Sequence, residues 1–404
     1  MNSVTRAWQV YRKQGFRTVV QKTVVRVFPF VLSKPTLVDY DDVLAVDWRI
    51  PHPSVSSPRV LPDGRLTIGW VMSPPGANSG GHQNIFRFMR FLEEAGHDVR
   101  VYVSSSIDPT TAEQSRQRVA QSSSYARVDA SIEQYPEAGI PDDVDVLFAT
   151  GWETAYRSYR DRSNARRFYF VQDFEPMFYP TGSEALLAEN TYRFGFTGIT
   201  AGEWLAGKLR SEYGMRASAF TFGAENSHYS VLNSGRRDSV FFYARPETPR
   251  RGFELGVMAL DLFARERPGH PIILAGQDLR GIRLPFDYEN AGILEVSELN
   301  AVYNRCAAGL VLSLTNMSLL PLELLSAGVI PVVNDGPNNR LVSDNPFIEY
   351  TEPSPRALAD RLIAVVDRAD QVEHAALAAA SVSGTSWTRS GEHFLEAFKE
   401  GLRG

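Results

Sequence analysis

Two stretches in the second half of the chain carry side chains suited to a charged, hydroxyl-rich ligand. Arg245 ends an apolar run, and Arg250 and Arg251 follow five and six residues later, ahead of a helical pattern. Guanidinium groups hold a diphosphate through charged, forked hydrogen bonds. Glu323 lies at the start of a short predicted helix before an apolar strand, and its carboxylate can accept two bonds from a ribose. Together these residues predict a nucleotide-sugar site.

Each of these residues also has an ordinary structural explanation. The arginines can form a solvated basic turn, and a first-turn glutamate often only complements the helix dipole. Placement at a strand end that faces a crevice favours an anion clamp over a solvated turn. Of the adjacent pair we favour Arg250 over Arg251, because one of two neighbouring side chains generally points away. Ser318, five residues before Glu323, offers a hydroxyl at the same place.

A pair of glycines follows the first predicted strand. Gly80 and Gly81 precede His82 at the point where a helical pattern begins. Glycines let backbone amides approach a phosphate closely, and the positive end of a helix dipole favours an anion there. Ordinary turns use paired glycines too, and His82 is either a ligand contact or a solvated first-turn residue. The position directly after the strand favours phosphate binding.

A second polar loop, Gln172-Asp173-Phe174-Glu175-Pro176, follows the strong strand pattern of residues 168–171. Asp173 either caps the next turn through its carboxylate or faces the reacting sugar or its acceptor. The sequence leaves both interpretations open. Glu175 is the weaker candidate for the chemistry.

Metal binding finds little support in the sequence. The single cysteine, Cys306, and seven scattered histidines form no ligand-spaced cluster. Asp143-Val-Asp145 matches an Asp-x-Asp cation motif, but it precedes its strand, which is the wrong end for a ligand in a parallel sheet. We therefore expect no metal and no cofactor beyond a nucleotide-sugar substrate.

The first 34 residues are basic and amphipathic. They contain seven lysines and arginines, no carboxylate and many interspersed apolar side chains, whereas the whole chain has a net charge of −5. This pattern is typical of a segment on an anionic membrane surface, and packing against the protein itself is the alternative. The acidic remainder disfavours nucleic acid, and a lone cysteine suits a reducing compartment. We expect a cytoplasmic protein, peripheral on the inner face of the plasma membrane.

Short β-branched runs alternate with helical patterns in two series, which begin at residues 66 and 238. Such alternation implies parallel βαβ units, and two open α/β sheets in tandem place ligands in the crevice at the carboxyl ends of their strands. Residues 35–65 contain several prolines and are predicted to be an irregular linker. The predicted strands cover residues 66–72, 99–103, 144–149, 167–171, 238–243, 271–275, 309–313, 329–334 and 347–350.

The order of these features resembles family 4 of the retaining glycosyltransferases, which have the GT-B fold. The Gly80-Gly81 loop, the block Val171-Gln-Asp-Phe-Glu-Pro-Met-Phe-Tyr-Pro180 and Pro321-Leu-Glu323 are most similar to the rhamnosyltransferases of bacterial surface and S-layer glycan assembly. The resemblance covers residues 66–400. The block over residues 171–180 is its most specific part.

The resemblance implies roles for individual residues. Arg245 would be the diphosphate-binding arginine, followed by Arg250 or Arg251 as the usual second basic residue, and Glu323 would bind the donor ribose. The family often has a first glutamate with seven residues between it and the second, and Thr315 stands at that position here. Because that carboxylate normally contacts hydroxyls of the donor sugar, its absence fits a deoxysugar such as L-rhamnose.

The resemblance also implies an activity: metal-independent, retaining transfer of L-rhamnose from dTDP-L-rhamnose to a growing cell-surface glycan, free or lipid-linked. Arg245 and Arg250 would neutralise the departing diphosphate, and Asp173 would orient the acceptor or stabilise charge on the sugar ring. Two alternatives remain open. One is a sugar-nucleotide epimerase of the same fold, and the other is a non-catalytic nucleotide-sugar-binding subunit of a glycan-assembly complex.

The expected architecture is α/β: two Rossmann-like, doubly wound domains facing a central cleft. An N-terminal helical extension and a C-terminal helix that returns to the first domain complete it. The predicted division is a basic extension and linker over residues 1–65, an acceptor-binding domain over 66–225, a donor domain over 226–384 and a crossover helix over 385–404.

Overall fold

The computed structural model describes residues 37–50, 52, 60–62, 64–76, 79–224, 228–317 and 319–403. Within them the strands form two separate sheets, and neighbouring strands run parallel in both. The α/β, doubly wound class expected from the sequence is therefore confirmed. The basic extension over residues 1–34 and Ser318 lie outside the described residues.

The first sheet has seven strands in the order β3-β2-β1-β4-β5-β6-β7. Its central strands are apolar without alternation because helices cover both faces of such a sheet, and Trp70, Phe148 and Phe170 are completely buried. The strand order reverses beside β1, which opens a crevice at the carboxyl edge. The strands are β1 (Thr67–Met72), β2 (Asp98–Val103), β3 (Ser131–Gln134), β4 (Val146–Ala149), β5 (Arg166–Val171), β6 (Thr197–Ala201) and β7 (Ala217–Phe220).

The linker predicted to be irregular contains a short helix, which corrects the expectation for that stretch. Asp39 caps it by accepting a hydrogen bond from the backbone N of Asp41 at 2.9 Å. Asp42 is buried and forms ion pairs of 2.7 Å with Arg157 and Arg160 on a later helix, so the segment is fixed to the first domain. The helices of this half are α1 (Tyr40–Leu44), α2 (Gly80–Glu94), α3 (Ala112–Gln121), α4 (Trp152–Arg160), α5 (Ser183–Asn190) and α6 (Glu203–Tyr213).

The second sheet has six strands in the order β10-β9-β8-β11-β12-β13, which repeats the reversal of the first sheet beside β8. Its carboxyl edge therefore carries a second crevice. The strands are β8 (Ser239–Tyr243), β9 (Ile272–Ala275), β10 (Glu289–Gly292), β11 (Cys306–Val311), β12 (Ile330–Asn334) and β13 (Glu349–Thr351). The helices are α7 (Phe253–Glu266), α8 (Val296–Tyr303), α9 (Leu320–Ser326), α10 (Pro337–Arg340), α11 (Pro355–Val366) and α12 (Gln371–Ser381).

The last helix, α13 (Trp387–Arg403), returns to the first domain as expected. Phe394 and Phe398 are buried in the core of that domain, and the guanidinium of Arg87 lies 3.8 Å from the centroid of the Trp387 ring. Burial of two phenylalanines anchors the crossover, since each buried aromatic side chain removes a large apolar area from water. None of the described helices combines the length and the apolar character needed to cross a membrane.

Candidate functional site

Asp173, directly after β5, joins the first domain to the second. Its Oδ2 accepts a hydrogen bond from the Thr315 hydroxyl at 2.9 Å, and its Oδ1 accepts one from the backbone N of Asn316 at 2.8 Å. The Nε of Arg250 lies 3.6 Å from Oδ2. Asp173 also accepts a bond from the backbone N of Phe174 at 2.8 Å. The carboxylate therefore both caps its own loop and faces the opposite domain.

The pKa of Asp173 reflects two opposing influences. Burial raises it, whereas the hydrogen bond from the Asn316 backbone and the charges of Arg251 and Arg250 lower it. The net direction is upward, because the side chain is only 14% exposed and loses most of its hydration. Positive charge that develops beside this carboxylate would stabilise its charged form.

Asn316 fixes the segment that contacts Asp173. Its Nδ2 donates to the carbonyl oxygen of Gln172, directly after β5, at 3.1 Å and to that of Ala201, the last residue of β6, at 2.7 Å. The residue is 2% exposed, so these bonds form away from water. Asn316 thus binds the second domain to two strand ends of the first.

The adjacent arginines both lie near Asp173, although the sequence favoured one of them pointing away. The Arg250 guanidinium lies 4.1 Å from the centroid of the Phe178 ring, and its side chain is 29% exposed. Arg251 donates from Nη1 to the Ser313 hydroxyl at 2.8 Å, and loss of hydration lowers its pKa. The two side chains therefore differ in environment: Arg250 faces the cleft, and Arg251 is enclosed by its own domain.

Arg245 lies at the end of β8, as the sequence predicted. Its Nη1 donates to the Tyr243 hydroxyl at 3.2 Å and to the Gly276 carbonyl at 3.4 Å. Both acceptors are neutral, and no carboxylate pairs with Arg245 among the residues the structure describes. The guanidinium is held in place while its charge stays available to an anion.

Glu323 lies in the first turn of α9, three residues after its start at Leu320. The Tyr303 hydroxyl donates to Glu323 Oε2 at 3.3 Å, and burial together with the glutamate charge raises the pKa of that tyrosine. Tyr303 comes from α8 and is 1% exposed, so it provides a fixed support for the carboxylate. Ser318, predicted to contribute a hydroxyl here, is not among the described residues.

The glycine loop opens α2 and touches the Asp173 loop. The Nε2 of Gln172 donates to the Gly81 carbonyl at 3.0 Å, and a Cβ added to Gly80 would meet no heavy atom within 4 Å. The His82 ring lies between two hydroxyls, 2.8 Å from Ser79 Oγ and 3.2 Å from Ser73 Oγ. Burial lowers the pKa of His82 to about 4, so the ring is neutral near pH 7. It is therefore not a solvated first-turn residue.

The described residues contain no group of three or more histidine, cysteine and acidic side chains placed to hold a metal ion. The Asp-x-Asp pair lies at the opposite edge of the first sheet. There Asp145 Oδ2 accepts a bond from the Thr67 backbone at 2.9 Å, and Asp143 binds Arg100 at 2.7 Å. Both aspartates thus have structural partners within the first domain.

Sequence reasoning missed three residues of this site. Asn316 donates hydrogen bonds to Asp173 and Gln172 across the cleft, Phe178 packs against Arg250, and Tyr303 supports Glu323. The only available signal was adjacency, since Asn316 follows Thr315 and Phe178 lies in the specific block over residues 171–180. Neither an asparagine nor a phenylalanine by itself indicates a ligand site.

The chain matches two family models in order. The model of the WsaF N-terminal domain matches residues 76–201, and that of the WsaF C-terminal domain matches residues 238–363. A curated relative, the O-antigen biosynthesis protein RfbC of Myxococcus xanthus, is 33% identical over 343 residues. That match covers 80% of this chain but only 26% of the relative, which is therefore a much longer protein.

Solved structures with the same fold are distant in sequence. A glycosyltransferase from Rickettsia africae superimposes with a TM-score of 0.57 at 12% identity, covering 84% of this chain and 99% of that structure. An O-GlcNAc transferase mutant from Thermobaculum terrenum gives 0.56 at 15% identity, covering 99% of this chain and 80% of that structure. The catalytic domain of starch synthase IV from Arabidopsis thaliana, bound to ADP and acarbose, gives 0.53 at 13%, covering 85% and 100%. These similarities show the GT-B architecture.

Proposed function

Since the chain belongs to the WsaF family of glycosyltransferases, we propose that it moves L-rhamnose from dTDP-L-rhamnose to a growing cell-surface glycan, with retention of configuration. One observation carries the proposal: Asp173 of the first domain and the arginines of the second meet across a single cleft. A carboxylate opposite an anion clamp is suited to transfer of a sugar from a diphosphate, because the reaction separates positive charge on the sugar from negative charge on the leaving group.

The residues of the second domain bind different parts of the donor. Arg245 and Arg250 bind the diphosphate and stabilise its charge as it departs, assisted by the amides of Gly80 and Gly81 at the positive end of α2. Arg251 holds Ser313 and adds positive charge behind Arg250. Glu323 binds the ribose hydroxyls from the position at which Tyr303 supports it. Charged side chains and helix dipoles thereby supply the stabilisation that a metal ion gives in other transferases.

The contact of Thr315 with Asp173 supports a deoxysugar donor. Thr315 replaces the first carboxylate expected from the family resemblance, and its hydroxyl is bonded to the carboxylate of the opposite domain. At the position of Thr315, the negative charge is therefore supplied by Asp173 from the acceptor side of the cleft. Asp173 there orients the acceptor hydroxyl or stabilises positive charge on the sugar ring.

The proposed acceptor rests on the role of the Myxococcus xanthus relative and on the basic N-terminal segment. The Myxococcus xanthus protein is described by its role in O-antigen biosynthesis, and we extend a glycan acceptor, free or lipid-linked, to this chain. The basic residues in 1–34 provide the means to remain close to an anionic membrane on which a lipid-linked acceptor is presented. This location corresponds to the cytoplasmic face of the plasma membrane.

A donor panel with matched variants tests the proposal. We expect glycan product only with dTDP-L-rhamnose, and loss of transfer in Arg245→Ala with an unchanged unfolding temperature. Arg265→Ala, which removes a surface arginine paired with Asp261, is the control and should transfer normally. Release of an epimerised free sugar without acceptor would instead favour the epimerase, and donor binding without any transfer would favour a binding subunit.

A further inference from the structure

Three asparagines after β11, at and beyond the end of β12, hold the loop that follows β11. The Nδ2 atoms of Asn334, Asn338 and Asn339 donate to the carbonyl oxygen of Ser313 at 3.0, 2.9 and 3.1 Å. The Oδ1 of Asn334 accepts a bond from the backbone N of Ser313 at 2.8 Å, and Ser313 is completely buried. One carbonyl group, with two lone pairs, therefore accepts three amide donors away from water. We call the three side chains the asparagine cradle.

Asn338 also reaches the residues that meet Asp173. Its Nδ2 donates to the carbonyl oxygen of Thr315, and its own carbonyl oxygen accepts a bond from the backbone N of Met317 at 3.3 Å. These bonds hold the backbone on either side of Asn316. The Thr315 hydroxyl and the Asn316 backbone N are the two groups that donate to Asp173 across the cleft. Asn338 therefore fixes the point from which the second domain contacts that carboxylate.

The loop over residues 313–317 also contacts both adjacent arginines of the clamp. The backbone N of Leu314 donates to the Arg250 carbonyl oxygen at 2.9 Å. The Ser313 hydroxyl accepts a bond from Arg251 at 2.8 Å. A displaced loop would therefore disturb the clamp as well as the contact between the domains.

The members of the cradle differ in how much they support the fold itself. Asn339 is completely buried and donates a second bond to the Asn334 carbonyl oxygen at 2.7 Å, so a role in stability explains this pair. Asn338 is half-buried, and both acceptors of its amide lie in the 313–317 loop. Its side chain is therefore the one placed to adjust the loop alone.

We propose that Asn338 is a positioning residue of the transfer site, whose amide holds the 313–317 loop where Thr315 and Asn316 meet Asp173. The amide acts through the backbone of Thr315, because the carbonyl that it binds and the hydroxyl that faces Asp173 belong to one residue. The effect on the transfer rate rests on the proposed transferase function, whereas the effect on the loop does not.

Gly336 offers a second way to displace the Asn338 amide. A Cβ at Gly336 would lie 2.5 Å from Oδ1 of Asn338, so the amide must move. The backbone of Gly336 is extended, with a φ of 166° and a ψ of 157°, and it accepts other residues. Because the clash falls on the end of a flexible side chain, Gly336→Ala should shift the amide with little loss of stability.

The first test compares transfer rates at saturating donor and acceptor. Asn338→Ala should lower the rate about tenfold, the effect of one lost hydrogen bond of ordinary strength, and Gly336→Ala should lower it by a smaller factor. Asn345→Ala removes an amide bonded to Ser381 in the same domain and should transfer normally. In a Thr315→Val background the Asn338→Ala factor should shrink, because one of the two contacts that it supports is already gone. An equal factor in both backgrounds, or no loss in either, would overturn the positioning role.

The second test needs no substrate. Amide hydrogen exchange of the peptide over residues 313–317 should rise several-fold in Asn338→Ala and in Gly336→Ala, and it should match the wild type in Asn345→Ala. Exchange of β5 should stay the same in all three variants. Unchanged exchange of the 313–317 peptide in Asn338→Ala and Gly336→Ala would refute the proposal, whatever reaction the protein catalyses. Raised exchange in a protein that transfers no sugar would instead support the positioning and exclude the proposed function.

Discussion

The hydroxyl of Thr315 donates a hydrogen bond to Oδ2 of Asp173, 2.9 Å away across the cleft between the two domains. Thr315 holds the position at which the family resemblance places a carboxylate, so the carboxylate that reaches this point comes from the opposite domain. The backbone N of Asn316 binds the other oxygen at 2.8 Å. Because Asp173 accepts hydrogen bonds from donors of the second domain, these contacts form only when the cleft is closed.

Replacing Asp173 with asparagine should lower the transfer rate about 100-fold or more, because an amide keeps the shape of the side chain but not its charge. One of its polar atoms would also become a donor facing Thr315 or Asn316. The rate at saturating donor and acceptor is the measurement. Asp367→Asn, which loses a surface pair with Arg267, is the control. Near-normal turnover in Asp173→Asn would exclude the carboxylate from the chemistry.

Arg250→Ala and Arg251→Ala should separate donor binding from folding. Loss of Arg250 removes a charged contact with the diphosphate and should weaken donor binding by about 1.5–3 kcal/mol with little change in unfolding temperature. Loss of Arg251 removes the hydrogen bond that the Ser313 hydroxyl accepts and should lower the unfolding temperature as well. Calorimetric titration with dTDP-L-rhamnose and thermal unfolding make the comparison. The opposite result would assign diphosphate binding to Arg251 and structural support to Arg250.

Most strands that the sequence predicted are buried on both faces, with two exceptions. β13 was predicted from residues 347–350 although none of its residues is buried, and β6 is buried throughout but was not predicted. β1, β4, β5, β8 and β12 are continuous apolar runs, because a parallel sheet with helices on both faces requires them. The edge strands lack that pattern. β3 has one buried residue, Ile132, and β10 has none, so a period of apolar residues could not reveal either.

The sequence could predict the site residues at each strand end separately, but not how they meet. Asp173 and Arg245 both follow an apolar run, and ligands of such sheets bind at that edge. The contact between Asp173 and Thr315 joins residues 142 positions apart, and it depends on how the two domains face each other. Local patterns carry no information about that orientation. For the same reason Phe178 and Asn316 gave no recognisable signal.

Gly223→Ala should destabilise the protein by about 1–3 kcal/mol, because the crossover has no room for a methyl group. A Cβ at Gly223 would lie 2.5 Å from the backbone N of Trp387, where the chain returns to the first domain. Denaturant unfolding measures the loss. Gly207→Ala is the matched control, since a Cβ on this α6 residue meets no atom within 4 Å and should not destabilise the fold. Equal stability of the two variants would show that the crossover adjusts freely.

Deleting residues 1–34 should weaken binding to anionic vesicles and leave donor affinity unchanged. The deletion removes seven cations and no carboxylate, which are the charges that attract an anionic lipid surface. Co-sedimentation with phosphatidylglycerol vesicles at low and high salt is the measurement, with neutral phosphatidylcholine vesicles as the control. Equal binding by the truncated chain would assign membrane contact to another surface.

Exchanging the acidic group between domains is the sharpest test of the Thr315 contact. Thr315→Ser keeps the hydroxyl and should retain transfer, whereas Thr315→Val has a similar shape without the donor and should lose part of it. Thr315→Glu places a second carboxylate against Asp173 and should reduce transfer further, because like charges in a partly buried contact repel. Adding Asp173→Asn to Thr315→Glu removes that repulsion and restores the acidic residue expected from the family resemblance. If the two sites act on one shared position, the double variant will transfer faster than the product of the two single effects predicts.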